Sequence, residues 1–127
     1  MAEHSSNTAM TVTLTVRAPE KLVNWYDSFS RLTGLSRNML IKIAMNYAID
    51  HGFSKDNWMP RGNTTTITIR VSRTILHKYD AFAAATGNNR NKLIRMAMEN
   101  AVDRRKEIRD YMKTHPDFVD MLQASED

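Results

Sequence analysis

The feature that most constrains this chain is an internal repeat. Residues 11–50 align without a gap on residues 64–103 at a constant offset of 53 positions, and 17 of the 40 aligned pairs are identical. One unit of this length is close to the size at which a single hydrophobic core is too small to fold alone. The repeat therefore predicts two copies of one small unit that share a core and form a pseudo-twofold object.

Each copy begins with strict alternation of polar and β-branched or apolar residues. Alternation with a period of two predicts a half-buried strand. Each copy has only this one strand, and the backbone groups of a lone strand need partners. The two strands are therefore expected to pair with each other. The polar side would carry Thr11, Thr13, Thr15 and Arg17 in the first copy and Thr64, Thr66, Thr68 and Arg70 in the second.

Two helices are predicted to follow the strand in each copy. Proline suits the first helical turn, serine and asparagine cap helix starts, and glycine commonly follows a helix end. The apolar residues of the second helix cover a wide arc, which favours burial on several sides. The boundary residues are Pro19, Gly34 and Ser36 in the first copy and Ser72, Gly87 and Asn89 in the second.

Two segments outside the repeats are expected to have little regular structure. Residues 1–10 are interpreted as a flexible arm, and residues 52–63 as a connector between the copies. At roughly 3.3 Å per extended residue, the connector is long enough to cross a domain of this size. Trp58 and Met59 are expected to pack onto the body of the protein.

The C-terminal tail, residues 104–127, is expected to be helical. Its first part, 104–114, would extend the last helix of the second copy as a solvated helix with charge pairs four residues apart. His115-Pro116 would break that helix, and residues 117–123 would form a short second one. The last three residues are expected to fray.

Charge and composition exclude several classes of protein. The net charge is +4, and the two copies carry +2 and +3, which is compatible with a polyanionic partner. The chain has no cysteine, so it has neither disulfides nor thiolate metal sites. No apolar run approaches the roughly 18 residues of a membrane span, and the N-terminus lacks a secretory pattern. A cytoplasmic protein without membrane contact is expected.

The order strand, helix, glycine turn, helix resembles the ribbon-helix-helix family of DNA-binding proteins. The resemblance covers both copies and implies a mainly α fold, in which one two-stranded antiparallel ribbon lies over a four-helix core. A tandem copy in one chain resembles the fused-repeat accessory proteins of conjugative DNA transfer. The matching segments are TLTVR and TITIR, Ala18-Pro19-Glu20, Gly34, Gly87, Ser36-Arg37-Asn38 and Asn89-Arg90-Asn91.

The resemblance implies that the ribbon enters the major groove of double-stranded DNA. Thr15 and Thr68 should then face each other, and each ribbon arginine should lie across from the outer threonine of the other copy. Arginine can bind guanine in a bidentate way, and threonine can hydrogen-bond a base or contact the thymine methyl group. The expected base-reading residues are Thr13, Thr15, Arg17, Thr66, Thr68 and Arg70.

The start of each second helix is expected to bind a DNA phosphate. Helix starts present backbone N–H groups and a partial positive charge that suit an anion. Since the two ribbon triads are the same, the core of the target DNA should be a near palindrome. Departures from this symmetry at the edges of the target would reflect the differences between the copies, Leu35 against Asn88 and Met39 against Lys92. The expected phosphate-binding residues are Ser36, Arg37, Asn38, Asn89, Arg90 and Asn91.

Three biological roles remain open at this point. The leading hypothesis is a transcriptional repressor, autoregulatory and encoded by a bacterial mobile element, in the cytoplasm or on the nucleoid. The alternatives are a conjugation accessory protein that binds a transfer origin beside a relaxase, and an antitoxin whose residues 104–127 bind a protein partner. Self-association, cooperative binding on DNA and exchange of halves between two chains also stay open.

No enzyme, metal or cofactor is expected. The four histidines lie far apart without metal-ligand spacing, and the sequence has no phosphate-cradling glycine loop. Asp27 and Asp80 match each other in the repeat, but neither has a second carboxylate nearby on the same helix face. Paired carboxylates for acid–base chemistry are therefore not predicted.

Overall fold

Helices dominate the part of the chain that the computed structural model describes, residues 11–53 and 62–124. One two-stranded antiparallel sheet accompanies them. The predictions for residues 1–10, for Trp58 and Met59 and for residues 125–127 lie outside the described residues. The elements in chain order are β1 (Thr11–Pro19), α1 (Glu20–Thr33), α2 (Arg37–His51), β2 (Thr64–Ser72), α3 (Arg73–Thr86), α4 (Arg90–Asp103), α5 (Arg105–Thr114) and α6 (Pro116–Ala124).

The strands of the two copies pair with each other, as predicted. Thr15 lies opposite Thr68 at the centre of the antiparallel register. Arg17 lies opposite Thr66, and Thr13 lies opposite Arg70. The predicted pairing partners on the polar side are thereby confirmed.

The pleat of this ribbon separates an apolar face from a polar face. Both ribbon arginines and the threonines that alternate with the apolar residues are exposed, except Thr11, which is half-buried at the start of β1; the residues between them face the core. Because side chains of a strand point alternately to its two sides, one register fixes both faces at once. The buried residues of the inner face are Val16, Ala18, Ile67, Ile69 and Val71.

The helix ends follow the predicted capping chemistry. The side chains of Ser36, Ser72 and Asn89 each accept a hydrogen bond from the backbone N–H three residues later. Gly34 and Gly87 follow α1 and α3 with φ of 77° and 72°, a region that favours glycine because it has no Cβ. In the first copy the strand runs through Pro19, so that α1 begins one residue later, at Glu20.

Both copies contribute to one hydrophobic core, in which α2 and α4 pack against each other. Two reciprocal hydrogen bonds cross between the copies. The Tyr26 hydroxyl donates to the Met98 carbonyl at 2.8 Å, and the Tyr79 hydroxyl donates to the Met45 carbonyl at 2.7 Å. Burial raises the pKa of both phenols above the ordinary range, so both remain protonated donors at neutral pH.

The tail packs onto the first copy through a few apolar side chains, whereas most residues of α5 are exposed, as expected for a solvated helix. Ile108 of α5 and Leu122 of α6 are buried against α2 in a second apolar cluster with Met39, Ile43 and Tyr47. Arg104 separates α4 from α5, so the expected continuous helix was wrong. The interruption directs the apolar side of α5 toward α2. The break at His115-Pro116 is confirmed, and α6 extends one residue beyond each predicted end.

A buried cation fixes the end of the tail. Lys42 of α2 is only 3% exposed, and its Nζ donates to the Leu122 carbonyl at 2.7 Å. A cation near the last carbonyls of a helix is favourable because the helix dipole places negative charge there. The tail is therefore attached to α2 by polar as well as apolar contacts.

Removing the inter-copy hydroxyl bonds should destabilise the protein without opening a cavity. We expect Tyr26→Phe and Tyr79→Phe each to lower the free energy of unfolding by about 1 kcal/mol, the net contribution of a typical hydrogen bond. Urea denaturation measures the change. Tyr111→Phe is the matched control, since the Tyr111 hydroxyl has no hydrogen-bond partner among the described residues; it should change stability by less than about 0.5 kcal/mol. Equal effects at all three positions would contradict the prediction.

Candidate nucleic-acid interface

The outer face of the ribbon brings together all six side chains that the sequence predicted to read bases. They are exposed and form three cross-strand pairs, Thr13 with Arg70, Thr15 with Thr68 and Arg17 with Thr66. The two arginines lie at opposite ends of this row, about 13 Å apart along the strands at 3.3 Å per residue. The row offers hydroxyl groups at its centre and a guanidinium near each end.

A contact within the ribbon orients one of these arginines. The Arg17 Nε donates to the Thr64 hydroxyl at 3.0 Å. Thr64 lies on the same exposed face of β2, two residues before Thr66. The alternation predicted its place on the polar side but not a role in the site. It supports the Arg17 guanidinium from the neighbouring strand.

Two asparagines close the open edges of the ribbon beside its arginines. Asn91 accepts from the Arg17 N–H at 2.9 Å and donates to the Arg17 carbonyl at 3.2 Å. Asn38 accepts from the Arg70 N–H at 2.7 Å and donates to the Arg70 carbonyl at 3.0 Å. Each strand of a two-stranded ribbon has one edge without a strand neighbour. The side-chain amide therefore pairs with one residue of that edge as another strand would.

These asparagine clamps join each helix start to the strand of the other copy. Asn38 is the second residue of α2, whereas Arg70 belongs to β2; Asn91 is the second residue of α4, whereas Arg17 belongs to β1. In the structure both amides bind strand backbone and hold each helix start beside a ribbon arginine. Phosphate binding by Asn38 and Asn91 stays a prediction.

The predicted phosphate-binding arginines form equivalent ion pairs. Arg37 lies 3.2 Å from Asp27, and Arg90 lies 3.4 Å from Asp80. All four side chains are between about a third and a half exposed. Exposed ion pairs contribute about 1 kcal/mol or less, so a phosphate could compete for either guanidinium. The two aspartates, which sequence reasoning left without a role, hold these arginines at the helix starts.

Ser36 and Asn89 cap α2 and α4. Their side chains accept hydrogen bonds from the backbone N–H groups of Met39 and Lys92, in the first turn of the same helix. The first turn of a helix nevertheless has more N–H groups than one cap can satisfy. The two copies differ beside these caps, because Met39 is 2% exposed whereas Lys92 is exposed. The α4 start thus carries one more cation at its surface than the α2 start.

The described part of the chain has neither a metal-binding cluster nor a membrane-spanning helix. No group of three or more histidines and acidic residues there could hold a metal ion. None of the helices in residues 11–53 and 62–124 has the length and apolar character needed to cross a membrane. Comparisons of the chain with protein-family models, with curated proteins and with solved structures find no match.

Loss of one asparagine clamp should expose one particular backbone group. We expect Asn38→Ala to speed hydrogen exchange of the Arg70 amide, because its N–H loses the Asn38 acceptor. Exchange measured by NMR should change little at the Arg17 amide, which the other clamp protects, and Asn91→Ala should give the reverse pattern. Asn88→Ala is the control, since in the described part of the chain that side-chain amide bonds only Thr86, two residues earlier, at 2.9 Å. Unchanged protection of Arg70 in Asn38→Ala would exclude the clamp.

Proposed function

We propose that this protein binds a specific site on double-stranded DNA by inserting the β1–β2 ribbon into the major groove, as a tandem ribbon-helix-helix protein. The observation that supports this most is the exposed polar face of the ribbon, with its central threonine pair and an arginine near each end. A two-stranded ribbon fits a groove about 12 Å wide. The apolar face is committed to the core, so the polar face is the one left for a partner.

The side chains of this face suit base edges. Arginine binds O6 and N7 of guanine, and threonine matches several bases through its hydroxyl and methyl groups. Because the antiparallel register places Thr13 and Arg70 at one end and Thr66 and Arg17 at the other, the two ends present the same chemistry in opposite directions. The core of the preferred site should then be a near palindrome with a guanine in each half.

The helix starts supply contacts that position the protein without reading sequence. The first turns of α2 and α4 would face the phosphates that flank the ribbon, with Arg37 and Arg90 beside them. The asparagine clamps keep each helix start at a set distance from a base-reading arginine. Lys92 on α4 would add one phosphate contact on that side, so the outer parts of the site need not be symmetric.

Within this DNA-binding role, we favour a transcriptional repressor that acts on its own promoter and is carried by a mobile element. An accessory protein at a transfer origin is the second candidate, because the tandem copy resembles proteins of that kind. An antitoxin is disfavoured by the tail, whose apolar residues Ile108 and Leu122 are already buried against α2. A tail that wraps around a toxin through these two residues would have to expose them.

Site selection followed by mapping tests the proposal. Binding to random duplexes, with selection and sequencing, should enrich a near palindrome with guanines in both halves. The enriched sequence should then be located on the replicon that encodes the protein. A site over its own promoter supports the repressor, and a site beside a nick region supports the transfer role. Enrichment of no sequence would contradict specific binding.

Removal of a ribbon arginine should reduce specificity more than general affinity. We expect Arg17→Ala or Arg70→Ala to cost about 1–3 kcal/mol on the selected site and to relax base choice at one position. Fluorescence anisotropy with the selected and with random duplexes gives both affinities. Arg31→Ala on α1 removes the same charge outside the ribbon and is the control. Equal losses on both duplexes for Arg17→Ala would exclude base reading by this residue.

Removal of a helix-start arginine should reduce general affinity for DNA more than specificity. We expect Arg37→Ala or Arg90→Ala to weaken binding to all sequences and to reduce the slope of log affinity against log salt by about 1, since one phosphate contact is lost. Titrations at several salt concentrations give the slope. Lys113→Ala on α5 is the control of equal charge. A slope that equals the wild-type value would exclude phosphate contact by Arg37.

A further inference from the structure

An apolar groove runs along the first copy between α1, α2, the end of α4 and α5. We call it the α1–α5 groove; its volume is about 340 Å³. Leu32 on its wall is 80% exposed, an unusual position for a large apolar side chain. No residue of β1 or β2 lines it, and none of the residues predicted to bind phosphate does so. Its apolar side chains include Phe29, Leu32, Leu40, Ile43, Ile108 and Met112.

The second copy has the equivalent groove, 53 positions along the chain. Phe82, Leu93 and Met96 there correspond to Phe29, Leu40 and Ile43. In that groove the chain supplies an aromatic ring of its own. Phe53 stacks on Phe82 with ring centres 5.4 Å apart and meets Tyr79 edge-on at 5.9 Å. The second groove therefore shows what kind of side chain this surface accepts.

The residue equivalent to Phe53 at the repeat offset of 53 positions is Lys106. Lys106 lines the α1–α5 groove, as Phe53 lines the groove of the second copy. Lys106 can lay its aliphatic stem along apolar surface while its ammonium group stays in water, but it supplies no aromatic ring to stack on Phe29. Within residues 11–53 and 62–124, the only aromatic ring that contacts Phe29 is that of Trp25, with ring centres 5.1 Å apart. Among the described residues, no side chain takes the place in the α1–α5 groove that Phe53 takes in the other.

The rim of the α1–α5 groove is positively charged. Arg105, Lys106 and Arg109 of α5 line it, and no carboxylate of the described residues forms an ion pair with them. The Arg105 guanidinium lies over the Trp25 ring, 5.4 Å from its centre, which keeps it at the rim. An apolar floor beside a row of cations complements a partner that is apolar on one face and acidic on the other.

We propose that the α1–α5 groove binds an acidic amphipathic helix of another protein. That helix would insert an aromatic side chain against Phe29, as Phe53 packs against Phe82, and its carboxylates would face Arg105, Lys106 and Arg109. Laying the apolar face of a helix into a groove is a common mode of recognition, and the groove volume lies within the range of binding sites. The groove and the ribbon share no residues, so DNA and the partner bind together.

Binding of a synthetic helix tests the proposal. The probe is a labelled peptide of about 16 residues, four to five helical turns, with one phenylalanine on its apolar face and glutamates along its polar face. Anisotropy with the full chain should show saturable binding. Replacing the phenylalanine by alanine should weaken binding at least about tenfold, a difference of about 1.4 kcal/mol. Replacing the glutamates by lysines should abolish it.

Variants of the chain locate the binding site. Lys106→Phe restores the ring that the second copy has and should weaken peptide binding at least about tenfold. Lys113→Phe, the same change on the same helix outside the groove, should leave it unchanged. Urea denaturation should find both variants folded, and both should bind DNA as the wild type does. Arg105→Glu with Arg109→Glu should reverse the preference, so that the lysine peptide binds.

Several results would overturn the proposal. These are the absence of peptide binding, equal binding by Lys106→Phe and wild type, or equal binding of the glutamate and lysine peptides. Sedimentation of the chain alone tests whether a second copy of the chain, rather than another protein, occupies the groove. If the chain self-associates and Lys106→Phe abolishes the association, a second copy fills the groove and the proposed partner is wrong. Loss of peptide binding in Lys106→Phe with unchanged DNA affinity separates this inference from the proposed function.

Discussion

The antiparallel pairing of β1 with β2 is the contact on which the rest of the structure depends. Each copy has one strand, and that strand meets its hydrogen-bonding requirement only by pairing with the other copy. The pairing places two helix pairs on one apolar face, where Tyr26 and Tyr79 each reach across to the backbone of the opposite copy. It also leaves the opposite face of the ribbon polar and exposed, which is the basis of the proposed DNA recognition.

The asparagine clamps would connect base reading with phosphate binding in the proposed function. Asn38 and Asn91 tie each helix start to the backbone of the arginine that would read a base. A phosphate at the helix start and a guanine at the ribbon would thereby be held at a set separation. Asp27 and Asp80 act from the other side, since they hold the helix-start arginines in weak pairs that a phosphate can replace.

Short-range chemistry made much of this architecture predictable. Alternation predicted both strands and their faces. Serine, asparagine and glycine predicted the helix ends. The resemblance to the ribbon-helix-helix family implied that Thr15 would meet Thr68. The clamps were not predicted, because Asn38 and Asn91 bond residues 32 and 74 positions away and the same residue type suits a helix start in any case. The turn at Arg104 was missed as well, since neither glycine nor proline marks it. What separates α5 from α4 there is long-range packing of Ile108 on α2.

Methylation interference on the selected DNA site tests the central claim most directly. Guanine N7 lies in the major groove, where the ribbon is proposed to bind, whereas adenine N3 lies in the minor groove. The account predicts that methylation of N7 at one guanine in each half of the site blocks binding, and that Arg17→Ala removes the effect at only one of the two halves. Binding that tolerates every N7 methyl group but is blocked by methylation of adenine N3 would contradict it.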